Sequence, residues 1–248
     1  FIPEMHPFNW RGWWNFGTGA LGDMGCHLID IPFKALGLKY PTDVECSVGS
    51  VYEKMWTPNY YPEGCPPASS ASMHFDATEK NNSRIQMTWY DGGIKPFHPE
   101  LLPDNVDIEP NGVFMIGDKG VITCDAYGEK PTLYVKGEAA VTGEKVRIDE
   151  PEFGHQRQWV DACKAGFNST EHLSLTSSFD YSGPLTETVL MGNIAIRSYM
   201  LREENSQGRV EFVGRKKLLW DGDSMKIKNL ETANQFVGRT YRKGWELT

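Results

Sequence analysis

An aspartate and a histidine four positions apart, Asp23 and His27, are the residues of this sequence best placed to do chemistry. They follow the glycine-rich run that starts at Gly17, and the apolar residues around them recur at helical spacing. Residues four apart share one face of a helix, so the carboxylate and the imidazole would stand one turn apart. An imidazole titrates near neutral pH and can exchange a proton with a hydroxyl, while the carboxylate fixes its tautomer or stabilises the imidazolium. We therefore predict that the chemistry takes place in this stretch.

The spacing Gly17-x-Gly19-x-x-Gly22 also matches the fingerprint of a dinucleotide-binding loop. That fingerprint needs a buried parallel strand before it, a helix after it and an acidic residue about 20 positions further on. A helix does follow, but residues 9–16 contain no aliphatic run and carry an arginine and a glycine. We therefore predict a turn on the substrate side, with no cofactor contacts beyond those near Gly19 and Gly22.

The composition restricts the class of function. The chain has 248 residues, enough for one large domain or two small ones, and a formal net charge of −8. This acidic balance argues against nucleic acid and against an anionic membrane surface as partners. No apolar run approaches the roughly 20 residues of a membrane span. Five scattered cysteines without CxxC spacing argue against a disulfide framework and a structural zinc site, and no metal is predicted.

Three helices are predicted from apolar periodicity and end signals. The first runs from about Leu21 to Leu36 and contains Pro32 as a kink. The second covers residues 153–165, and the third starts at Pro184, because proline is favoured at the first helical position. The predicted buried residues are Trp159, Ala162 and Cys163 on the second helix and Leu185, Val189, Leu190, Asn193, Ile196 and Met200 on the third.

The remaining sequence has the texture of strands separated by short turns, which indicates mainly antiparallel pairing. We predict one α+β domain over residues 1–248, with an antiparallel sheet, helices packed on one face and an extended arm over residues 1–16. The predicted strands cover residues 44–54, 68–77, 83–90, 112–116, 120–124, 132–136, 145–148, 209–213 and 217–220.

Aromatic and polar residues near the glycine run are the candidates for substrate binding. Tryptophan and tyrosine beside polar side chains suit flat, amphipathic ligands such as sugars, although core packing explains aromatic residues more often. An arginine among aromatic rings usually engages a carboxylate, a phosphate or a ring, which makes Arg11 the strongest candidate. The others are Asn9, Trp10 and Trp14 in the arm, and Tyr60, Tyr90, Lys95 and His98 in or beside two long loops, for each of which solvated surface is the alternative.

The stretch Trp10-Arg-Gly-Trp-Trp-Asn-Phe-Gly-Thr-Gly-Ala-Leu-Gly-Asp-Met-Gly-Cys-His-Leu-Ile-Asp30 resembles the Gfo/Idh/MocA family of nicotinamide-dependent oxidoreductases. More narrowly, it resembles the carboxy-terminal domain of a bacterial subgroup abundant in Bacteroidetes-type genomes. The stretch Pro184-Leu-Thr-Glu-Thr-Val-Leu-Met-Gly-Asn-Ile-Ala195 is similar to that subgroup's late helix. The resemblance implies an open, mostly antiparallel sheet that binds the substrate and forms the interface of a homodimer or homotetramer.

In this family a Rossmann domain binds NAD or NADP, so the resemblance implies such a domain upstream of residue 1 and a substrate domain in this chain. The family's Asp-x-x-x-His pair corresponds to Asp23 and His27, which makes His27 the acid/base at the reacting hydroxyl and Asp23 its orienting or substrate-binding partner. The implied substrate is a sugar, a polyol or a related small molecule. The family's lysine, in a Glu-Lys-Pro motif, would lie upstream, and we interpret Glu129-Lys130-Pro131 as a turn between strands.

Other interpretations stay open at this point. Relatives that use bound NAD for transient oxidation hydrolyse glycosidic bonds, so an NAD-dependent glycosidase would share these motifs. A non-catalytic carbohydrate-binding or oligomerisation module would explain the aromatic arm, and Asp23 and His27 would then only cap and pack their helix. Because the sequence starts at Phe1 instead of a methionine, we expect a fragment or a processed product, and both a cytoplasmic and a periplasmic location are compatible with it.

Overall fold

The computed structural model describes residues 2–3, 6–144 and 153–246. The chain divides into two compact units, Phe1–Phe97 with Glu187–Thr248 and His98–Thr186. Helices and antiparallel strands occur in both units, which confirms the predicted α+β class and the open antiparallel sheet. The strand predicted over residues 145–148 lies outside the described residues.

The secondary structure elements are numbered in chain order. The α-helices are α1 (Gly19–Leu28), α2 (Asp30–Leu36), α3 (Gly154–Ala165), α4 (Thr170–Leu173) and α5 (Phe179–Ser198), and two 3-10 helices cover Pro7–Gly12 and Glu231–Phe236. The strands are β1 (Asp43–Val48), β2 (Tyr52–Lys54), β3 (Thr57–Pro58), β4 (Ser69–Phe75), β5 (Ile85–Tyr90), β6 (Gly112–Ile116), β7 (Gly120–Asp125), β8 (Thr132–Val135), β9 (Val141–Thr142), β10 (Arg202–Glu204), β11 (Val210–Phe212), β12 (Leu218–Asp221) and β13 (Lys226–Ile227).

The first unit is built on a five-stranded sheet in the order β13-β12-β1-β4-β5, in which every pair is antiparallel. Side chains on β4 alternate between buried and half-buried positions, as expected for a strand with one face on a core. Ala71, Met73 and Phe75 form the buried face of β4, and Val44 of β1 pairs with Met73. Strand β12 joins this sheet from the far end of the sequence, beside β1.

Helix α1 packs against α5 through two positions that lack a side chain. Leu21 is fully buried where a Cβ on Gly192 would collide with it, and a Cβ on Gly25 would lie 3.3 Å from Val189 Cγ2. Gly192 also lies over Ala71 of β4, because a Cβ there would stand 3.7 Å from the Ala71 methyl group. The buried side of α1 therefore faces α5, and the residues on its other side are available to form a binding site.

The first predicted helix is two helices. Helix α1 ends at Leu28, and α2 begins at Asp30 and ends at Gly37, which adopts the left-handed conformation that favours glycine. Pro32 has no N–H to donate to the carbonyl four residues earlier, so the hydrogen-bond ladder is interrupted near Leu28. The predicted end is confirmed, and the predicted kink is a break in the helix.

Three predictions about the later helices are wrong: the burial of two residues on α3, the start of α5 and the burial of Leu190. On α3, Ala162 is buried as predicted, but Trp159 is 65% exposed and Cys163 is exposed as well. Pro184 is inside α5 instead of at its start, because the Ser178 carbonyl accepts hydrogen bonds from the N–H groups of residues 181 and 182 and begins the helix earlier. On the same helix Leu190 is 42% exposed, whereas Leu185, Val189, Asn193 and Ile196 are buried and Met200, just beyond it, is half-buried.

The strands predicted within the described residues are confirmed with one division, since residues 44–54 form β1 and β2, separated by an irregular segment at residues 49–51. The arm is not extended. Pro7 starts a 3-10 helix there, and the His6 imidazole Nδ1 accepts a hydrogen bond from the Phe8 N–H at 3.2 Å. This cap closes the arm into a turn of helix that its proline content does not predict.

The second unit contains the four-stranded antiparallel meander β6-β7-β8-β9. The turn between β7 and β8 is held by the Asp125 carboxylate, which accepts hydrogen bonds from the N–H groups of Tyr127 at 2.9 Å and Glu129 at 2.7 Å. Lys130 in this turn has a positive φ of 51°. The interpretation of Glu129-Lys130-Pro131 as a turn is therefore confirmed. Among the described helices of both units, none combines the length and apolarity needed to cross a membrane.

A buried carboxylate on β1 links this strand to three others of the first unit. Asp43 on β1 is 4% exposed, and its oxygens lie 2.6 Å from His74 Nδ1, 2.5 Å from Arg84 Nη2 and 3.7 Å from Lys217 Nζ. His74 belongs to β4, while Arg84 and Lys217 immediately precede β5 and β12. Burial alone would raise the pKa of Asp43, but the His74 hydrogen bond and the surrounding positive charges outweigh it and lower the pKa below its usual value.

We expect Asp43→Asn to lower the free energy of unfolding by about 2 kcal/mol at pH 7, because buried hydrogen bonds to a charged group are lost. The stabilisation is fully present above the ordinary carboxyl pKa of about 4 and is lost as the pH falls through the lowered pKa of the folded state. Urea unfolding at several pH values should show the variant and wild type converging in acid. Glu45→Gln, exposed on the same strand, is the control, and equal stability of Asp43→Asn and wild type at pH 7 would show that the charged network does not stabilise the fold.

Candidate functional site

Asp23 and His27 both lie on α1, as predicted, one turn apart on the side turned away from Leu21 and Gly25. Four residues of helix separate their Cα atoms by about 6 Å along the axis. His27 is exposed, and the side chain of Asp23 is 31% exposed. The packing of α1 on α5 therefore presents the carboxylate and the imidazole to solvent from one helix face.

Arg11 holds the Asp23 carboxylate from the arm. Its Nη1 donates a hydrogen bond to Asp23 Oδ2 in an ion pair, and its Nε donates to the Phe8 carbonyl at 3.1 Å. The guanidinium carbon also stands 4.4 Å from the centre of the Phe8 ring. Arg11 thus engages both a carboxylate and a ring, as its sequence context predicts, and the 3-10 helix of the arm sets its position.

A cavity of about 390 Å³ opens beside this ion pair. Trp10 is 44% exposed and its ring lies 5.6 Å from that of Phe16, tilted by 31°, so the two rings form an apolar wall. The Asp23 carboxylate and the Arg11 guanidinium supply the polar groups. A cavity with an aromatic wall and a few convergent polar groups is typical of a small-molecule site. Its lining residues are Pro7, Trp10, Arg11, Phe16, Gly17, Thr18, Gly22 and Asp23.

Other residues of the chain occupy the space beside the glycines at positions 17 and 22. A Cβ on Gly17 would lie 2.5 Å from Arg11 Cα and 3.0 Å from the Trp10 carbonyl oxygen, and a Cβ on Gly22 would collide with the Thr18 hydroxyl. A 3-10 helix precedes the run in place of the parallel strand that a dinucleotide fold needs, and the named strands of the chain pair antiparallel. Arg11, Trp10 and Thr18 therefore occupy the positions that side chains at 17 and 22 would take, and the interpretation of the run as a turn on the substrate side stays a prediction.

The other predicted binding residues are dispersed. Asn9 is exposed in the arm and Trp14 is only 6% exposed, and neither lines this cavity. Tyr90 is half-buried at the end of β5 and Lys95 is exposed in the following loop, also outside the cavity wall. His98 belongs to the second unit, where its Nε2 lies 3.0 Å from a backbone carbonyl oxygen. Among the predicted binding residues, the structure thus brings Trp10 and Arg11 to Asp23.

Sequence reasoning missed the part of the wall that the arm forms by folding back. Phe16 and Thr18 line the cavity, and the Phe8 ring packs against the Arg11 guanidinium. The many aromatic residues of the arm indicated a possible binding wall. An extended arm, as predicted, would not have placed these residues around Asp23. Within the described ranges, no group of three or more acidic, histidine or cysteine side chains is arranged to hold a metal ion.

No family model matches this chain, and no curated protein matches it. The assignment of a function therefore depends on the geometry of the cavity and on the sequence motifs.

Gly17→Ala tests whether the close approach of Gly17 to Arg11 holds the arm in place. The added methyl group would meet backbone atoms, which cannot rotate away, so the arm must shift and Arg11 must leave Asp23. We expect a loss of about 1–3 kcal/mol in thermal or urea unfolding, together with a change in tryptophan fluorescence. Gly12→Ala is the matched control, since nothing lies within 4 Å of its Cβ position. Equal behaviour of the two variants would show that the contact is unimportant.

Titration of this chain with NADH and NADPH, followed by nicotinamide fluorescence, should show no binding, because the glycine run is already packed by Arg11 and Thr18. An extended protein that carries a Rossmann domain upstream should bind one of the two. Tight binding by the 248-residue chain alone would show that the interpretation of the glycine run is wrong.

Proposed function

We propose that this chain is the substrate domain of a nicotinamide-dependent oxidoreductase that acts on a hydroxyl of a sugar, a polyol or a related small molecule. The observation that carries the proposal is the cavity beside α1, which is lined by the Asp23 carboxylate, held by Arg11, and by Trp10, with His27 one turn further along the same helix face. The resemblance of residues 10–30 to the Gfo/Idh/MocA family supports it. In that family NAD or NADP is bound by a Rossmann domain, and the proposal assigns the cofactor to such a domain.

Each side chain has a defined part in this proposal. The rings of Trp10 and Phe16 bury an apolar face of the substrate, which positions its hydroxyl groups toward α1. A carboxylate has about four lone-pair sites, so Asp23 can accept a hydrogen bond from a substrate hydroxyl while it keeps its bond from Arg11. His27 exchanges the proton of the reacting hydroxyl through an imidazole nitrogen. The nicotinamide, when bound, supplies hydride transfer.

Arg11 acts as a positioning residue in this scheme. A carboxylate on an exposed helix face samples several rotamers, and an ion pair with a second element selects one of them. Because reaction rates depend steeply on the alignment of reacting groups, a fixed Asp23 would favour one pose of the substrate hydroxyl. The arm therefore contributes to the proposed chemistry without touching the reacting atoms.

His27→Asn in the extended protein is expected to lower kcat for sugar oxidation by about 10²–10⁴-fold, because the asparagine cannot exchange a proton. The KM for the sugar should change little, since His27 is outside the cavity wall. NADH formation followed by absorbance measures both constants. The control is His155→Asn, which changes an exposed histidine at the start of α3. Unchanged turnover in His27→Asn with normal sugar binding would contradict the catalytic assignment.

Product analysis in the same assay separates the alternatives. Net NADH formation with a sugar alone supports a dehydrogenase, whereas release of an aglycone without net redox change supports an NAD-dependent glycosidase. Sugar binding without turnover in the extended protein would favour a non-catalytic carbohydrate-binding or oligomerisation module. Assembly into a dimer or tetramer through the sheet stays a proposal, which light scattering would measure.

A further inference from the structure

Arg197, in the last turn of α5, has a guanidinium group without an anionic partner. It is stacked between two aromatic rings, with its central carbon 5.3 Å from the ring centre of Trp14 and 4.3 Å from that of Phe236. Its Nε is buried and donates no hydrogen bond. Within the part of the chain that the structure describes, no carboxylate forms an ion pair with this side chain and no oxygen accepts a hydrogen bond from it.

The surroundings do not neutralise this charge. Arg239 adds a second positive charge nearby, and burial lowers the pKa of Arg197 below its usual value. Burial raises the pKa of the neighbouring Cys65 thiol to about 12, so this thiol is neutral at physiological pH. Asp91 is already engaged, because it accepts hydrogen bonds from Ser69 and from the Trp89 indole. A partly desolvated cation normally has a hydrogen-bonding partner, and none is found for Arg197 among the residues that the structure describes.

Arg197 lines a second cavity of about 270 Å³, formed by residues of the first unit alone. Among the described residues, no acidic side chain belongs to its wall. Neutral polar groups do: the Ser50 hydroxyl, the Asn59 and Gln235 amides and the Tyr60 phenol. This cavity shares none of its lining residues with the one beside Asp23. It therefore offers one unpaired guanidinium, several neutral hydrogen-bonding groups and aromatic walls.

We propose that this second cavity binds a small polar carboxylate, which Arg197 holds through its guanidinium. The rings of Trp14 and Phe236 stack on the guanidinium and leave its edge for hydrogen bonding, and that edge matches the two oxygens of a carboxylate. Arg197 lines the cavity and Arg239 does not, so the guanidinium in the wall balances a single negative charge, which favours a carboxylate over a phosphate dianion. The volume suits a molecule at the small end of known ligands, with the neutral polar groups available to its hydroxyl groups. This inference is independent of the proposed oxidoreductase activity.

The test is calorimetric titration of the chain with D-glucuronate and with D-glucose, which differ in the carboxylate. Glucuronate should bind at least tenfold more tightly than glucose. Arg197→Gln should weaken glucuronate binding at least tenfold and leave the melting temperature of the free protein unchanged or higher, because it removes a half-buried charge that has no anionic partner. Gln235→Glu, an exposed position in the cavity wall, should also weaken binding by placing a carboxylate beside the site.

Arg215→Gln is the matched control, because Arg215 also stacks on two rings, at 3.7 Å from Phe212 and 4.8 Å from Tyr199, but is exposed and outside the cavity wall. This variant should bind glucuronate as the wild type does. The proposal is overturned if glucuronate does not bind, or if Arg197→Gln and Gln235→Glu both bind it with wild-type affinity. Inorganic phosphate that displaces glucuronate at equal concentration would overturn the assignment to a carboxylate.

Discussion

The close packing of α1 on α5 is the constraint on which the candidate site depends. Leu21 can be buried there because Gly192 has no side chain, and Gly25 gives Val189 the same kind of room. Full burial of a leucine side chain contributes about 2 kcal/mol, so rotating α1 about its axis would expose Leu21 and cost that amount. Once this face of the helix is fixed, the positions two residues further along each turn must point outward. Asp23 and His27 occupy those positions, so the packing of α1 alone directs both side chains to the same outward face.

The arm adds the second constraint, which is backbone contact. Gly17 approaches Arg11 so closely that no side chain fits between them, and this brings the guanidinium to the Asp23 carboxylate. The glycine spacing that resembles a nucleotide loop is therefore explained by contacts within the chain, since a glycine is required wherever backbone meets backbone, whether or not a ligand is present.

The features that followed from the sequence are those with local causes. Helical spacing placed Asp23 and His27 on one face, and turn residues located the strands, because periodicity and turn chemistry act over a few residues. Contacts between distant parts of the chain cannot be predicted from such local patterns. Trp159 was predicted to be buried, but the contacts of its helix leave it exposed. The start of α5 is a local feature that was still missed, because hydrogen bonds to the Ser178 carbonyl begin the helix before Pro184. The partners of Asp43 and of Arg197 come from distant parts of the chain, so no spacing in the sequence signals them.

Asp43 and Arg197, both in the first unit, differ in whether neighbouring side chains compensate their charge. Around Asp43 three basic side chains from three segments gather, and the resulting fall in its pKa shows that the network favours the charged form. Around Arg197 the neighbours are rings, a neutral thiol and a second arginine, which leave the charge uncompensated. A charge that serves stability is expected to have its partners in place, because folding must offset the loss of its hydration. An uncompensated charge beside a cavity lowers the stability of the free protein, and the binding of an anion restores it. Arg197 is therefore expected to serve ligand binding, whereas Asp43 serves the stability of the fold.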